Sequence, residues 1–204
     1  MSGINITRDE AQQRSATVNA ESYEVVVDLT GRHDTFPSQT TVRFSARPGS
    51  ITWIDYVAPS VSAITLNDQP IDPSAHDGFR IPLADLKADN TLVVTGRSAY
   101  MNTGEGMHRF IDPVDDEVYL YTQFEIADAR RVFACFDQPD LKATYTFNIT
   151  APAHWLVISN APAPAPVACG PRSARGSTRR SVPPTPAPAS PIRPPVAASP
   201  MSAW

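Results

Sequence analysis

The chain has 204 residues, 42% hydrophobic and 19% charged, with a formal net charge of −4. That size and apolar share suit one domain with a buried core, and no apolar run reaches the length that would cross a membrane as a helix. Two cysteines, Cys135 and Cys169, in stretches of very different character, exclude a disulfide framework.

Charge and proline are spread unevenly. Residues 1–160 carry 12 Lys and Arg against 21 Asp and Glu, whereas residues 161–204 carry five arginines, no acid and 12 of the 21 prolines. The N-terminal Met-Ser-Gly-Ile-Asn-Ile-Thr-Arg-Asp-Glu has no apolar signal core, so a cytoplasmic protein is expected. On that expectation the Asn-x-Thr patterns at Asn5 and Asn148 carry no meaning.

Along the chain, Thr7-Arg-Asp-Glu10 is a capping-box pattern that opens a short helix to about residue 17. Tyr23-Glu-Val-Val-Val-Asp-Leu-Thr then alternates, with Tyr23, Val25, Val27 and Leu29 on one face of a strand. Further strands are expected over 39–46, 51–57, 62–66, 79–83, 91–98 and 107–111. Turn chemistry separates them at Pro48-Gly-Ser, Asn67-Asp-Gln-Pro and His76-Asp-Gly. Many short strands with such turns predict an all-β fold, a sandwich or saddle behind a small leading helix.

The stretch 119–145 is the most specific in the chain. Residues 119–125 read as a strand rich in aromatic and β-branched side chains, with Tyr119, Tyr121, Gln123 and Glu125 on one face. An amide and a carboxylate thus lie together at its end. A charged turn follows at 128–131, then a proline break at Asp137-Gln-Pro-Asp, then a strand over 143–150 and another over 155–159. A charged loop bracketed by strands is a good place for a binding site.

The ordered string Tyr-x-Gln-x-Glu, Ala-Arg-Arg-x-Phe-x-Cys-Phe-Asp-x-Pro and Lys-Ala-x-Tyr resembles the zinc aminopeptidases of the aminopeptidase N type. Thr103-Gly-Glu-Gly-Met-His-Arg-Phe and Asp112-Pro-Val-Asp are similar to the same family, especially its actinobacterial members. Ala134 departs from it, standing where many members have proline before the cysteine. The resemblance covers about residues 1–160. It implies the N-terminal β domain of an enzyme that removes N-terminal amino acids from peptides with a zinc ion. It further implies that Glu125 helps bind the free α-ammonium of the substrate and that Gln123 lines the pocket for the first side chain. A bland reading stands beside this one, in which Glu125 pairs with Arg130 or Arg131, or faces solvent.

The metal ligands that the resemblance calls for, two histidines one helical turn apart in His-Glu-x-x-His, are absent: His33, His76, His108 and His154 are far apart in sequence. The Gly-x-Met-Glu-Asn segment of the family is missing too. No catalytic residue, metal ligand or cofactor is therefore assigned to this chain, zinc belongs to the intact family enzyme, and the chain alone is expected not to hydrolyse peptides. Gly104-Glu-Gly reads as a structural turn and Cys135 as a buried small hydrophobe.

From residue 161 the texture becomes Pro, Ala, Arg, Ser and Gly, with no Phe, Tyr, Leu, Asp, Glu or Lys before Trp204. Such a segment buries too little apolar surface to offset about 1–2 kcal/mol per residue of backbone entropy, so it is expected to be disordered. The abrupt change suggests a frameshifted or truncated product, with a genuine low-complexity tail as the alternative. Five arginines without interleaved aromatics make a weak footprint for nucleic acid or lipid, so neither is expected as a partner. Self-association through an unpaired strand edge at 155–159 is expected instead. A stand-alone β-sandwich binding module with a Pro-rich docking tail is the rival reading from another class.

Overall fold

The computed structural model describes residues 5–31, 33–162 and 164–168, together with the backbone of Val196–Ala197. Most of the tail expected to be disordered lies outside the described residues. Helix α1 (Arg8–Ser15) opens with the expected capping box: Thr7 Oγ1 accepts from the Glu10 amide at 3.3 Å, and the Thr7 amide donates to Glu10 at 2.8 Å. Among the described residues, no helix is long and apolar enough to cross a membrane.

Strands make up the rest. β1 (Val18–Asp28), β2 (Thr35–Ala46), β4 (Ser60–Leu66), β5 (Gln69–Ile71), β7 (Asp89–Ala99), β10 (Thr144–Thr150) and β11 (Val196–Ala197) form one sheet in the order β11-β10-β1-β2-β7-β4-β5. Two antiparallel pairs, β3 (Thr52–Asp55) with β6 (Arg80–Leu83) and β8 (Gly106–Ile111) with β9 (Val118–Gln123), complete the fold. The all-β expectation therefore holds. The large sheet is antiparallel except where β10 returns parallel to β1, with Tyr23 opposite Tyr145 and their rings stacked at 4.6 Å. Strand β5 was not expected, because Asn67-Asp-Gln-Pro reads as a turn alone. The turn is real, with positive φ at Asn67 and Asp68, but it closes a hairpin that continues into three more paired residues.

Period-two burial sets the core. Tyr23, Val25, Val27 and Leu29 are buried as the alternation requires, beside Phe36, Val42 and Phe44 of β2 and Leu92 and Val94 of β7. A register shift between Ala20 and Ser22 changes the phase of β1, which is why Val18 and Ala20 also face inward. Ile54, Ile81 and Leu83 of the small pair cover this face, together with the buried run Val132–Phe136. Gly96 of β7 is crowded from within its own sheet and from across it: an added Cβ would lie 2.6 Å from the Ser60 carbonyl oxygen of the adjacent β4 and 2.9 Å from the Tyr56 ring. The strand expected over 155–159 is not formed. The Trp155 amide turns back to the Pro152 carbonyl at 3.0 Å, and residues 155–159 join none of the sheets.

One buried acid joins the layers. Asp55 accepts from Arg14 Nη1 at 2.6 Å, from the Trp53 indole at 3.1 Å and from the Asp137 amide at 3.2 Å. Its backbone makes two 3.0 Å bonds with Cys135. Arg14 continues the network to Gln138 at 2.9 Å, and Gln138 returns to α1 through the Ala11 carbonyl at 3.0 Å and the Ser15 hydroxyl at 2.6 Å. The guanidiniums of Arg14 and Arg80 lie over the Trp53 ring at 5.0 and 4.7 Å. Arg14 and Asp55 are both essentially inaccessible to water, so each charge is stabilised by the other and by these buried dipoles and rings in place of solvent.

Two outcomes follow from this packing. Asp55→Ala leaves Arg14 buried without a counter-charge and lowers stability by about 3–5 kcal/mol in urea unfolding. Gly96→Ala forces the sheet away from Tyr56 and costs about 1–3 kcal/mol in the same measurement, whereas a neutral effect would mean that the layers do not meet there.

Candidate functional site

The β8/β9 hairpin and the loop after it carry the candidate residues. The tip is ordered by its own acids: Asp112 accepts from the Val114 amide at 2.8 Å, Asp115 accepts from the Glu117 amide at 2.9 Å, and Tyr119 donates its hydroxyl proton to Asp115 at 3.1 Å. In register, Phe110 faces Tyr119, His108 faces Tyr121 and Gly106 faces Gln123. Directly opposed residues share a face, so this face carries an aromatic stripe that ends at Gln123. The His108 and Tyr121 rings stack at 4.6 Å, and His108 Nδ1 accepts from the Gly104 amide at 3.1 Å.

Strand β9 ends at Gln123, two residues earlier than expected, and Glu125 stands on the turn that follows. The chain leaves the ladder because Phe124 packs inward, edge-on to Phe133 at 5.8 Å, while its carbonyl accepts from the Asp128 amide at 3.0 Å. Gln123 and Glu125 are both exposed. The bland reading of Glu125 as partner to Arg130 or Arg131 does not describe this loop. Arg130 is buried, its amide donating to Asp137 at 3.1 Å and its guanidinium to Asn5 at 3.2 Å. Arg131 pairs with Asp128 at 2.7 Å and with Glu105 at 3.2 Å, its stem packed so closely over Gly106 that an added Cβ would lie 2.8 Å from it. Both arginines are committed elsewhere, and among the described residues Glu125 has no hydrogen-bonding or ionic partner.

Behind this exposed end the chain is core. Val132, Phe133, Ala134, Cys135 and Phe136 are buried, and the Phe136 amide donates to the Tyr23 hydroxyl at 3.1 Å. Burial pushes the Cys135 thiol well above its ordinary range, with Asp137 and Asp55 adding to the effect, so it packs as a small hydrophobe and is no nucleophile at neutral pH. Arg14, Asp55 and Gln138, which fix the loop, were not singled out in the sequence. Each is an ordinary polar residue there, and nothing local signals that the three meet.

The histidines do not gather. His76 bonds to the Tyr56 carbonyl at 2.8 Å, His108 serves the Gly104 turn, and His154 lies 3.7 Å from Glu117. Among the described residues, no three His, Cys, Asp or Glu side chains converge as a metal site requires. The described residues therefore do not make a site that fits a zinc ion.

Asp137 gives the loop a pH dependence. Burial pushes its carboxyl up to about 6, outweighing the Arg130 amide and guanidinium that pull it down. An unfolded aspartate titrates near 3.9, so the folded state holds the proton more tightly, and stability falls as pH rises from about 4 to about 6. Asp137→Asn keeps an acceptor for the Arg130 amide and removes this slope. Urea unfolding from pH 4 to 7 should show the variant gaining on the parent by about 2–3 kcal/mol, and parallel curves would refute the assignment.

Comparison with known proteins agrees with this architecture. The sequence profile of the Peptidase M1 N-terminal domain matches residues 19–169. Aminopeptidase N of Streptomyces lividans is 53% identical over 171 residues, which cover 81% of this chain and 20% of that protein. Aminopeptidase N of Acetobacter pasteurianus is 34% identical over 109 residues, 50% of this chain and 28% of that protein. Native yeast LTA4 hydrolase superposes with a TM-score of 0.55 at 14% identity, covering 78% of this chain and 26% of that one, a likeness of fold alone. The matched stretch thus spans about a fifth to just over a quarter of each of these three proteins. With the profile matched over most of its length, the chain belongs to the Peptidase M1 N-terminal domain family.

Proposed function

We propose that this chain supplies the side of an aminopeptidase site that receives the free amino end of a peptide. Glu125 accepts from the substrate α-ammonium and Gln123 lines the space for the first side chain. The observation that carries the reading is the contrast along a few residues: Glu125 is exposed without a partner among the described residues, while Arg130 and Arg131, shortly after it in the chain, are paired with other acids and the residues behind them are buried. A carboxylate held on such a base is available to a cation brought to it. Anchoring the ammonium selects unblocked peptides and places the first peptide bond at a fixed distance from the anchor. The zinc-dependent hydrolysis of the intact enzyme needs ligands that the described residues do not bring together, so on this reading the chain recognises and the remainder of the enzyme cleaves.

The experiment exchanges residues 1–160 for the matching stretch of the Streptomyces lividans aminopeptidase N and follows hydrolysis of alanine p-nitroanilide. A charge-assisted hydrogen bond contributes about 1.5–3 kcal/mol, so Glu125→Gln should lower kcat/KM by about 10–100-fold. Gln123→Ala should change the preference among first residues more than the rate with alanine. An active chimera in which Glu125→Gln stays within about twofold of the parent would overturn the proposal.

A further inference from the structure

Glu125 lies within a closed ring of contacts, and one side chain closes that ring. Gly106 pairs with Gln123 in the β8/β9 ladder. From Gln123 the chain passes to Phe124, whose carbonyl accepts the Asp128 amide at 3.0 Å, so residues 124–128 make one turn with Glu125, Ile126 and Ala127 inside it. The Asp128 carboxylate then accepts from Arg131 Nε at 2.7 Å. The Arg131 stem returns to Gly106, where a Cβ would lie 2.8, 3.3 and 3.6 Å from its Cβ, Cδ and Cγ, and its Nη2 lies 3.2 Å from Glu105. Gly106 has a φ of 60°, so both its backbone and this contact exclude a side chain, and the arginine stem occupies the place instead. Phe124, edge-on to Phe133, secures the first limb of the turn, and Arg131 links the second limb to the start of β8.

We propose that Arg131 is the positioning residue of the amino-end anchor, resting on the reading of Glu125 as that anchor: by tying the turn to β8 it holds the Glu125 carboxylate where the substrate ammonium meets it. A carboxylate on a free turn has to be ordered when the ammonium arrives, and that ordering weakens binding. Arginine suits the task because its planar fork meets two acids at once, one on each side of the gap, whereas a lysine ammonium has no such fork. Engaging Asp128 and Glu105 also keeps the guanidinium from neutralising Glu125 itself. The anchor holds the ammonium in the ground state and the transition state alike, so a loosened anchor shows in KM rather than in kcat.

The test uses the chimera with the Streptomyces lividans aminopeptidase N and alanine p-nitroanilide. Arg131→Ala should raise KM by about 5–20-fold with kcat within about twofold of the parent. Glu105→Gln, which weakens only the link to β8, should raise it by about 2–5-fold, and Arg131→Lys should restore part of what Arg131→Ala loses. In a Glu125→Gln background, Arg131→Ala should add less than about twofold, because the residue then has nothing left to position. Hydrogen–deuterium exchange on the chain itself should show the Asp128 amide of Arg131→Ala exchanging at least about tenfold faster, with the Cys135 and Phe136 amides unchanged. If Glu125→Gln is damaging but Arg131→Ala is neutral, or if the two effects multiply in full, Arg131 does not position the anchor and the reading of Glu125 stands. If Arg131→Ala also speeds exchange at Cys135 and Phe136, the residue holds the core rather than the turn and the proposal fails. A neutral Glu125→Gln removes the anchor and this proposal together.

Discussion

The buried contact between Arg14 and Asp55 is the constraint on which the arrangement of this domain depends. Neither group reaches water, so each requires the other, and the geometry that satisfies them fixes three separate pieces of chain. The helix contributes Arg14, the small strand pair contributes Asp55, and the run after Arg131 contributes the Asp137 amide and Gln138. A hydrophobic pair could fill the same space, but it would not dictate which amide and which amide side chain lie against it. The direction of these hydrogen bonds makes a non-repetitive run of residues behave as part of the core.

That behaviour is what gives the candidate site its form. The segment 124–138 passes from exposed to buried within a few residues, and the change is produced by Phe124, which turns the chain inward at the end of β9. Before it, Phe110, Tyr119, Tyr121 and Gln123 are exposed on one face of the hairpin; everything after Arg131, as far as Gln138, is enclosed. A carboxylate at the boundary gains a fixed position from one side and access to solvent from the other. The ion pairs around Arg130 and Arg131 work in the same direction, since they leave Glu125 unneutralised.

Much of the fold was legible in the sequence because it rests on local periodicity. The face Tyr23, Val25, Val27 and Leu29 is buried as alternation requires, and the capping box at Thr7 forms as its spacing implies. What was not legible depends on distant partners. Strand β5 exists because β4 is beside it, and 155–159 turns at Pro152–Trp155 and joins none of the sheets. Arg14 looked like one more polar residue on a weakly amphipathic helix, and its partner lies 41 residues away. At the site, the alternation that put Gln123 and Glu125 on one strand face stops short, since β9 ends at Gln123, and the commitments of Arg130 to Asp137 and of Arg131 to Glu105 and Asp128 had no local signal.

The central claim is that the loop behind Glu125 belongs to the core although it has no regular secondary structure. Hydrogen–deuterium exchange on the intact chain tests it most directly. The account predicts that the amides of Cys135, Phe136 and Asp137, bonded to Asp55, Tyr23 and Asp55 respectively, exchange with the slow class that contains β1 and β2. Exchange of those three amides as fast as that of the hairpin tip around Val114 would contradict it.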